Sequence, residues 1–429
     1  YPAAIRAVVV GNEVLLRKEQ LPAALRAYIE RIKAALPGVP VTCAEPWEFW
    51  LRYQNDLLDA VSFATVHIIP YWENDPVGIG HAVGHVSQIY RHVKAQLHGK
   101  AVMIGETGWP SYGRQRQDAE ATQVNQARFI REFAVRAEQE NMPYNVIEAF
   151  DQPWKRNYEG AVGGHWGLYD AAGTAKFPFR GPVAEAPVWA YAAYAAMSVL
   201  FALSLLMQWR RRGLDRGGVL ALLAVSVAGG GAWAGFCRDV LMASRSLLES
   251  AFGCVFAVSL AALILALGGV LAAWCGAGLP PPALASAGHL SRGLRRQDGC
   301  FGGEAGLLGG LRLVFLFGAA LVCVLLVFDP GARDVPLALY VVPAVGFAVL
   351  AWIQGRSDAG LEEILLAAWI GFAGLWIAVA EHLLMVKGEP WRVADAVNHH
   401  ALAWTALCLL LSGAVLAPAL AEWRGRRPH

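Results

Sequence analysis

The stretch VMIGETGWP, residues 102–110, runs from apolar residues into a glutamate, Glu106, and then into a Gly-Trp-Pro turn. A second stretch of the same kind, VVVGNE at residues 8–13, ends at Glu13. Short apolar runs rich in β-branched residues predict buried strands of a parallel sheet. Because the carboxyl ends of parallel strands meet at one edge, we expect the two carboxylates to lie close together there.

Strands and helices alternate through this part of the chain. Strands are predicted at 5–11, 40–44, 65–70, 101–105 and 144–150, with amphipathic helices at 22–36, 47–58, 79–97 and 118–141 between them. Repeats of this kind with short loops predict a parallel sheet with helical crossovers, which is an α/β fold. A closed (β/α)8 barrel needs eight strands, so the five predicted strands form only part of one.

The composition changes after about residue 187. The mean hydropathy of +0.39 averages a charged first part and a second part whose apolar runs recur at the length of a membrane span. We therefore expect a catalytic domain over residues 1–182 and an all-α membrane region over residues 183–429. The net charge of +2 says little about partners, and the sequence carries no nucleic-acid signature, so no nucleic-acid partner is expected. The predicted spans are 188–208, 218–237, 252–274, 307–328, 336–353, 364–384 and 401–420.

Basic residues between the spans predict the orientation. Arginines follow the odd-numbered spans: Arg210, Arg211, Arg212, Arg216, Arg292, Arg295, Arg296, Arg356, Arg424, Arg426 and Arg427. The alternate loops carry fewer basic residues: Arg238, Arg245, Arg333, Lys387 and Arg392. Since positive charge marks the cytoplasmic side, the first domain is expected outside the inner membrane, in the periplasm. The glycine-rich run at 229–231 makes the second span the weakest of the seven.

Cysteines and buried charges give further expectations. Only Cys43 of the seven cysteines lies in the first domain, so no disulfide is expected there, and zinc-type cysteine and histidine spacings are absent. No metal or other cofactor is predicted. Arg312, Glu381 and His382 are the ionisable residues nearest the span interiors, and their places near the span ends predict snorkelling to the interface.

The paired stretches VVVGNEV, residues 8–14, and IGETGWPS, residues 104–111, resemble glycoside hydrolase family 17, the β-1,3-glucanases and β-1,3-glucanosyltransferases. The resemblance implies that Glu13 closes barrel strand four as the acid/base and that Glu106 closes strand seven as the nucleophile of a retaining reaction. It also implies that the chain holds strands four to eight of a (β/α)8 barrel, with strands one to three expected before Tyr1.

The same resemblance implies further site residues. Asn12 is expected to hydrogen-bond the 2-hydroxyl of the sugar. Tyr71, in the stretch HIIPYW, is expected to orient the nucleophile, and Trp109 is expected to stack on a sugar or line the rim. The stretch VIEAFDQPWK, which ends at residue 155, contributes candidates for substrate binding: Glu148, Asp151, Trp154 and Lys155. Glu45 and Trp47 lie at the same edge, where sugar binding and simple packing both remain open.

Three functional hypotheses follow. The leading one is a membrane-tethered retaining enzyme that transfers or hydrolyses β-1,3-glucan in the periplasm of a Gram-negative bacterium. Its partners would be the glucan and the lipid bilayer, and a glucan synthase partner is left open. The second is a non-catalytic glucan-binding or export protein, against which the intact Glu13 and Glu106 argue. The third is a transporter with an appended domain, which the expected lack of paired charges inside the spans disfavours.

Overall fold

The computed structural model describes residues 4–74, 76–185, 187–212, 214–296, 303–328, 335–355, 359–385 and 398–425. Two compact units are present, and the first ends at Glu185. Several basic residues used to predict the orientation lie outside the described residues: Arg333, Arg356, Lys387, Arg392, Arg426 and Arg427.

The first unit contains a parallel sheet whose strands follow one another in chain order. The strands are β1 (Val8–Asn12), β2 (Val41–Pro46), β3 (Ala64–His67), β4 (Val102–Thr107) and β5 (Tyr144–Val146). The crossover helices are α1 (Pro22–Ala35), α2 (Trp47–Leu57), α3 (Ile79–Gln96) and α4 (Gln123–Gln139). Every neighbouring pair of strands is parallel, which confirms the α/β class predicted from the sequence.

Large aromatic side chains fill the space between this sheet and its helices. Trp50, Trp109 and Trp166 are all buried. Trp50 also donates its indole N–H to the carbonyl of Thr65 at 2.7 Å, which fixes α2 against β3. An aromatic ring of this kind removes roughly 150–250 Å² from water, so these three rings stabilise the layer of helices against the strands.

The segment after β5 folds back onto the sheet. Leu168 donates its backbone N–H to the carbonyl of Glu148 at 3.0 Å. Asp151 accepts hydrogen bonds from the backbone of Gly167 at 2.8 Å and from Lys176 at 2.7 Å. Lys176 also donates to the hydroxyl of Ser111 at 2.8 Å. The buried Asp151 thus ties the chain after β5 to the loop after β4 and is committed to these structural contacts.

The second unit is helical. Among the described residues of this unit, seven helices are long and apolar enough to cross a membrane, which agrees with the predicted number of spans. They are α6 (Pro187–Arg212), α7 (Arg216–Ala243), α8 (Leu247–Ala277), α10 (Glu304–Phe328), α11 (Leu337–Gln354), α12 (Leu361–Met385) and α13 (His399–Gly425). Two shorter helices are α5 (Arg156–Glu159), in the first unit, and α9 (Ala287–Arg296).

The glycine run at 229–231 lies inside α7 and allows close helix packing. A Cβ on Gly229 would lie 2.7 Å from the side chain of Ile264 on α8. A Cβ on Gly230 would lie 2.5 Å from the backbone nitrogen of Met197 on α6. The glycines therefore let three helices approach one another, which is a common use of small residues between membrane helices.

Three charged residues described in this unit are buried and have polar partners. Arg312 on α10 lies 3.0 Å from a carboxylate oxygen of Glu363 on α12, and their side chains are 7% and 0% exposed. Glu381 is also buried and accepts a hydrogen bond from Asn398 at 3.1 Å. The predicted snorkelling of Arg312 and Glu381 is therefore wrong, because each finds its partner inside the bundle. The side chain of His382 lies outside the described residues.

Reporter fusions test the orientation. We expect a fusion after Arg212 and a fusion after Arg427 to report the cytoplasm, and a fusion after Asp334 to report the opposite side, because arginines concentrate in alternate loops. A compartment-specific enzyme such as alkaline phosphatase, read against a cytoplasmic reporter at the same three positions, makes the measurement. An outer-side signal at the C-terminal tail would mean that one of the seven helices, most simply α7, does not span the membrane.

Candidate active site

Glu13 directly follows β1 in a turn with left-handed backbone. Gly11 has φ +86° and Glu13 has φ 55°, and the backbone N–H of Glu13 donates to the carbonyl of Ala44 on β2 at 2.8 Å. The buried carboxylate of Glu45 accepts from the backbone N–H of Leu15 at 2.8 Å. Glu45, left open between sugar binding and packing, therefore holds the turn that presents Glu13.

Glu106 lies near the end of β4, beside His67 in the register of the sheet. Polar atoms of Glu13, His67 and Glu106 lie within 4.8 Å of one another. In a flat sheet, β1 and β4 would be separated by three strand spacings, roughly 14 Å. The sheet must therefore curve, and its concave face brings the two carboxylates to about the 5 Å spacing of retaining glycosidases.

The two carboxyl groups have different electrostatic surroundings. Burial raises the pKa of Glu13, and the nearby charge of Glu106 raises it further, while the charge of Arg17 lowers it. Burial also raises the pKa of Glu106, but the charge of Lys155 and a hydrogen bond from the Asn12 side chain lower it. A raised pKa suits Glu13 to proton donation, and Lys155 and Asn12 support the ionised form of Glu106.

Arg17 forms an ion pair with Glu13 at 3.1 Å and also donates to the carbonyl of Asn12. This pair favours the ionised form of Glu13. The Arg17 side chain is 48% exposed, however, so solvent screens its charge. A bound sugar that displaced it would leave Glu13 more buried and more fully protonated.

His67 is a site residue that the sequence reading missed. It is the last residue of β3, and its Nε2 lies 2.9 Å from Oδ1 of Asn12. Its side chain is 3% exposed, and burial lowers its pKa to about 4. The available signal was a histidine within the apolar stretch HIIPYW, at the same edge of the sheet as Glu13 and Glu106.

Glu13, His67 and Glu106 also form a candidate set of metal ligands, because carboxylates and imidazole both bind divalent metals. The imidazole nitrogen that lies near Glu106 is already donating a proton to Asn12. Metal binding through this nitrogen would require it to lose that proton and the hydrogen bond. The hydrogen-bonding geometry therefore fits an acid/base pair better than a metal centre.

Two of the predicted residues, Tyr71 and Trp109, are buried in the core of the first unit. Tyr71 is buried, donates its hydroxyl to the carbonyl of Arg114 at 2.5 Å, and meets the rings of Trp109 and Trp166 edge-on. Trp109 is 0% exposed and donates its indole N–H to the carbonyl of Glu120 at 2.9 Å. The expected stacking of Trp109 on a sugar is therefore corrected, because no face of this ring reaches the surface. The orienting role of Tyr71 stays a prediction.

The remaining predicted residues follow β5. Lys155 and Glu148 form a half-buried ion pair at 2.8 Å, and the charge of Lys155 reaches Glu106. Trp154 is 59% exposed, and its ring lies 6.0 Å from the ammonium of Lys155. Glu159, which the sequence reading did not single out, is half-buried and interacts electrostatically with both Glu13 and Glu106. The described residues of the site therefore bring Arg17, Lys155 and several carboxylates together beside an exposed aromatic ring.

Comparisons with known proteins identify relatives of the first unit. The family model described as the BtgE/BtgC glycoside hydrolase domain matches residues 2–167. A glucan 1,3-β-glucosidase of Schizosaccharomyces pombe is 30% identical over 164 residues, which are 35% of this chain and 50% of that protein. This part of the chain is similar to glycoside hydrolase domains that act on β-1,3-glucan, and it is referred to below as the family 17-like domain.

Two further relatives of the family 17-like domain are a β-1,3-glucanosyltransferase and a β-glucosidase. The crystal structure of the family 17 β-1,3-glucanosyltransferase from Rhizomucor miehei is 28% identical, covers 41% of this chain and 64% of its own, and has a TM-score of 0.37. The probable β-glucosidase btgE of Aspergillus fumigatus is 26% identical over 38% of this chain and 29% of its own length. The chain spans 50% to 60% of the length of the first curated relatives it matches.

Proposed function

We propose that the chain is a membrane-tethered retaining enzyme of β-1,3-glucan, a glucanosyltransferase or hydrolase that acts in the periplasm. One observation carries the proposal: Glu13 and Glu106 approach within 4.8 Å at the carboxyl ends of β1 and β4 in a family 17-like domain. The relatives that are named as glucan 1,3-β-glucosidases and as a β-1,3-glucanosyltransferase support the choice of substrate.

The proposed reaction proceeds by double displacement. The Glu106 carboxylate attacks the anomeric carbon and forms a glycosyl ester, while the bond from that carbon to the leaving oxygen breaks. Glu13 gives its proton to the leaving oxygen. Glu13 then takes a proton from water or from a sugar hydroxyl, whose oxygen attacks the anomeric carbon and releases Glu106. Two groups stabilise the Glu106 carboxylate between turnovers, namely Lys155 and Asn12.

The side chains around the pair suggest how glucan binds. Asn12 lies at the surface of the site and is expected to contact the 2-hydroxyl of the sugar. Trp154 offers an exposed ring on which a glucose unit can stack, and the neighbouring Lys155 and Glu148 offer hydrogen bonds to hydroxyl groups. These residues follow β5, so they line the side of the site next to Glu106.

The helical unit is proposed to anchor the enzyme in a bacterial inner membrane. Trp189 and Tyr191 are exposed near the start of α6, and Trp209 is exposed near its end, as expected for aromatic residues at the two membrane interfaces. We place the boundary between the catalytic domain, residues 1–182, and the membrane region, residues 183–429, just before α6. The arginine distribution supports a periplasmic catalytic domain.

A second candidate function is glucan export through the helices. It is favoured by the buried Arg312–Glu363 pair and by the buried Glu381, because ionisable groups inside membrane bundles often line pathways. The argument that such pairs are lacking, which disfavoured a transport role, no longer holds. In this alternative the first domain would bind or trim the chain that the helices carry.

Product analysis separates transfer from hydrolysis. We expect the protein, incubated with laminari-oligosaccharides, to give products longer than the substrate as well as shorter ones, because a bound acceptor hydroxyl has a high effective concentration and outcompetes water. Trp154→Ala should lower the transferred fraction several-fold while total cleavage changes less, since the exposed ring would hold the acceptor. Chromatography of labelled oligosaccharides measures both quantities.

Tyr28→Ala is the matched control, because Tyr28 is an exposed aromatic residue on α1. It should leave the ratio of transfer to hydrolysis unchanged. Purely shorter products over a wide range of substrate concentration would exclude transfer and leave a β-1,3-glucanase. Neither cleavage nor transfer, with glucan still bound, would favour the binding or export alternative.

A further inference from the structure

His67 begins a chain of hydrogen bonds that crosses the concave face of the sheet. Its Nε2 lies 2.9 Å from Oδ1 of Asn12, and the Asn12 side chain in turn hydrogen-bonds Glu106. The three residues come from the ends of three different strands, β3, β1 and β4. Asn12 thus links the proposed nucleophile, Glu106, to His67, which has no role assigned so far.

The position of the proton on His67 follows from its partner. An amide oxygen only accepts hydrogen bonds, so Nε2 must be the donor and must carry the proton. Nδ1 is buried and has no hydrogen-bond partner among the described residues. A second proton there would be a buried N–H without an acceptor, which is costly. His67 is therefore held neutral, as a donor to Asn12.

This donor decides which end of the Asn12 amide faces Glu106. The two ends have nearly the same shape, and an unrestrained amide can rotate so that its oxygen faces the carboxylate. That orientation replaces a hydrogen bond to the carboxylate by a repulsive contact between two oxygens. Because His67 donates to Oδ1, the N–H groups of Asn12 are directed towards Glu106.

Gly105 makes room for the imidazole ring. A Cβ at position 105 would lie 2.9 Å from both Cε1 and Nδ1 of His67. Both distances are shorter than the contacts that Cβ atoms make in proteins. Because the imidazole ring is buried, a larger residue at position 105 would push it away from Asn12. Gly105, directly before the proposed nucleophile, therefore leaves the space that the His67 ring on the neighbouring strand occupies.

We propose that His67 is a positioning residue for the retaining reaction: it orients the amide of Asn12, which in turn aims and ionises Glu106. This inference rests on the proposed function. A neutral donor suits the task, because a cation in its place would form an ion pair with the nucleophile and make its attack on the anomeric carbon less favourable. His67 acts through Asn12, because its Nε2 lies 3.9 Å from the nearest Glu106 oxygen, which is beyond hydrogen-bond distance.

The test is a double-mutant cycle in the full chain, with a β-glucoside that has a good leaving group. His67→Leu should lower kcat by roughly 10- to 100-fold, the worth of a hydrogen bond to a charged group. His67→Gln, which keeps an N–H donor at a similar reach, should recover most of the rate. In the Asn12→Ala background, His67→Leu should have little further effect, because the residue through which it acts is gone.

The pH profile gives a readout that a purely structural role would not move. The acid limb of kcat/KM should shift to higher pH in His67→Leu, since the pKa of Glu106 rises when the amide no longer donates to it. The other charged groups that face Glu106, namely Glu13, Arg17, Lys155 and Glu159, are unchanged in this variant. Asn12→Ala should shift the same limb in the same direction.

The outcomes separate the two proposals. A wild-type chain without activity on any β-1,3-glucan would refute the proposed function, and this inference with it. An active wild type in which His67→Leu loses the same factor with Asn12 present or replaced, and keeps the wild-type acid limb, would overturn the inference alone. If His67→Leu does not fold, the comparison of His67→Gln with the shorter His67→Asn decides, because only the former reaches Asn12.

Discussion

Replacing Glu106 with glutamine is expected to abolish turnover on every β-1,3-glucan substrate. The amide cannot form the glycosyl ester, so neither hydrolysis nor transfer can begin. Glu13→Ala should behave differently: it should lose about 10²- to 10⁴-fold on natural glucan, where the leaving oxygen needs a proton, and much less on an aryl glucoside with a good leaving group. The contrast follows from the two roles that the electrostatic surroundings suggest.

Azide distinguishes the roles directly. It should rescue Glu106→Gly and give a glucosyl azide of inverted configuration, because it attacks the substrate from the side that the nucleophile has vacated. With Glu13→Ala it should accept the glucosyl group from Glu106 and give the retained configuration. Nuclear magnetic resonance of the product reads the configuration. Glu132→Gln on the exposed face of α4 is the control and should leave both rates unchanged.

The pH dependence follows from the same assignment. The acid limb of kcat/KM should report Glu106 and the basic limb Glu13, whose pKa is raised by burial and by its partner's charge, so the acid stays protonated above its ordinary range. In Glu13→Ala the basic limb should disappear for substrates with a good leaving group. Equal losses in both variants, insensitive to azide, would contradict the assigned roles.

Arg312→Leu is expected to destabilise the helical unit by about 3–5 kcal/mol, the usual cost of leaving one member of a buried ion pair alone. Glu363 is 0% exposed and would keep its charge in a low-dielectric site. It also accepts from the backbone N–H groups of Ala287 at 3.1 Å and Gly360 at 2.6 Å, so it cannot move to the interface without breaking both bonds. Unfolding in mixed detergent micelles, followed by circular dichroism, measures the loss.

The double variant Arg312→Leu/Glu363→Gln should recover part of the loss. Glutamine keeps an oxygen for the two backbone N–H groups and removes the unpaired charge. The surface pair Arg245–Glu249, with side chains 46% and 38% exposed, is the matched control. Arg245→Leu should cost no more than about 1 kcal/mol. If Arg312→Leu and Arg245→Leu lowered the free energy of unfolding by the same small amount, the Arg312–Glu363 pair would have to be solvated.

The strand and helix order was predictable because apolar periodicity and turn residues are local signals. Differences lie at element ends and have identifiable causes. The last strand ends at Val146 instead of near residue 150, because Ile147 makes the last backbone bond to β4 and the residues from Glu148 onward bond to the segment at 166–169. Helix α4 begins at Gln123, since Thr122 accepts a hydrogen bond from the N–H of Asn125 and caps it there.

Parts of the site depended on tertiary contacts that no local pattern contains. The two glutamates were identifiable from their strand ends, but His67 joins them only because the sheet curves. Trp109 follows the nucleophile by three residues, yet the turn directs its ring into the core. Arg312 and Glu363 are 51 positions apart in the sequence, so only the arrangement of α10 and α12 shows that they pair.

The left-handed backbone of Glu13 affects which amino acids can replace it during evolution. Its φ of 55° lies in the left-handed region, where an L-residue with a Cβ is disfavoured by roughly 1–2 kcal/mol and glycine is not. Substitution by glycine would relieve that conformational cost while removing the carboxyl group that the proposed chemistry requires. At this one residue, therefore, catalysis and folding stability favour different amino acids, and a chain that no longer needed to cleave glucan would gain from losing its acid.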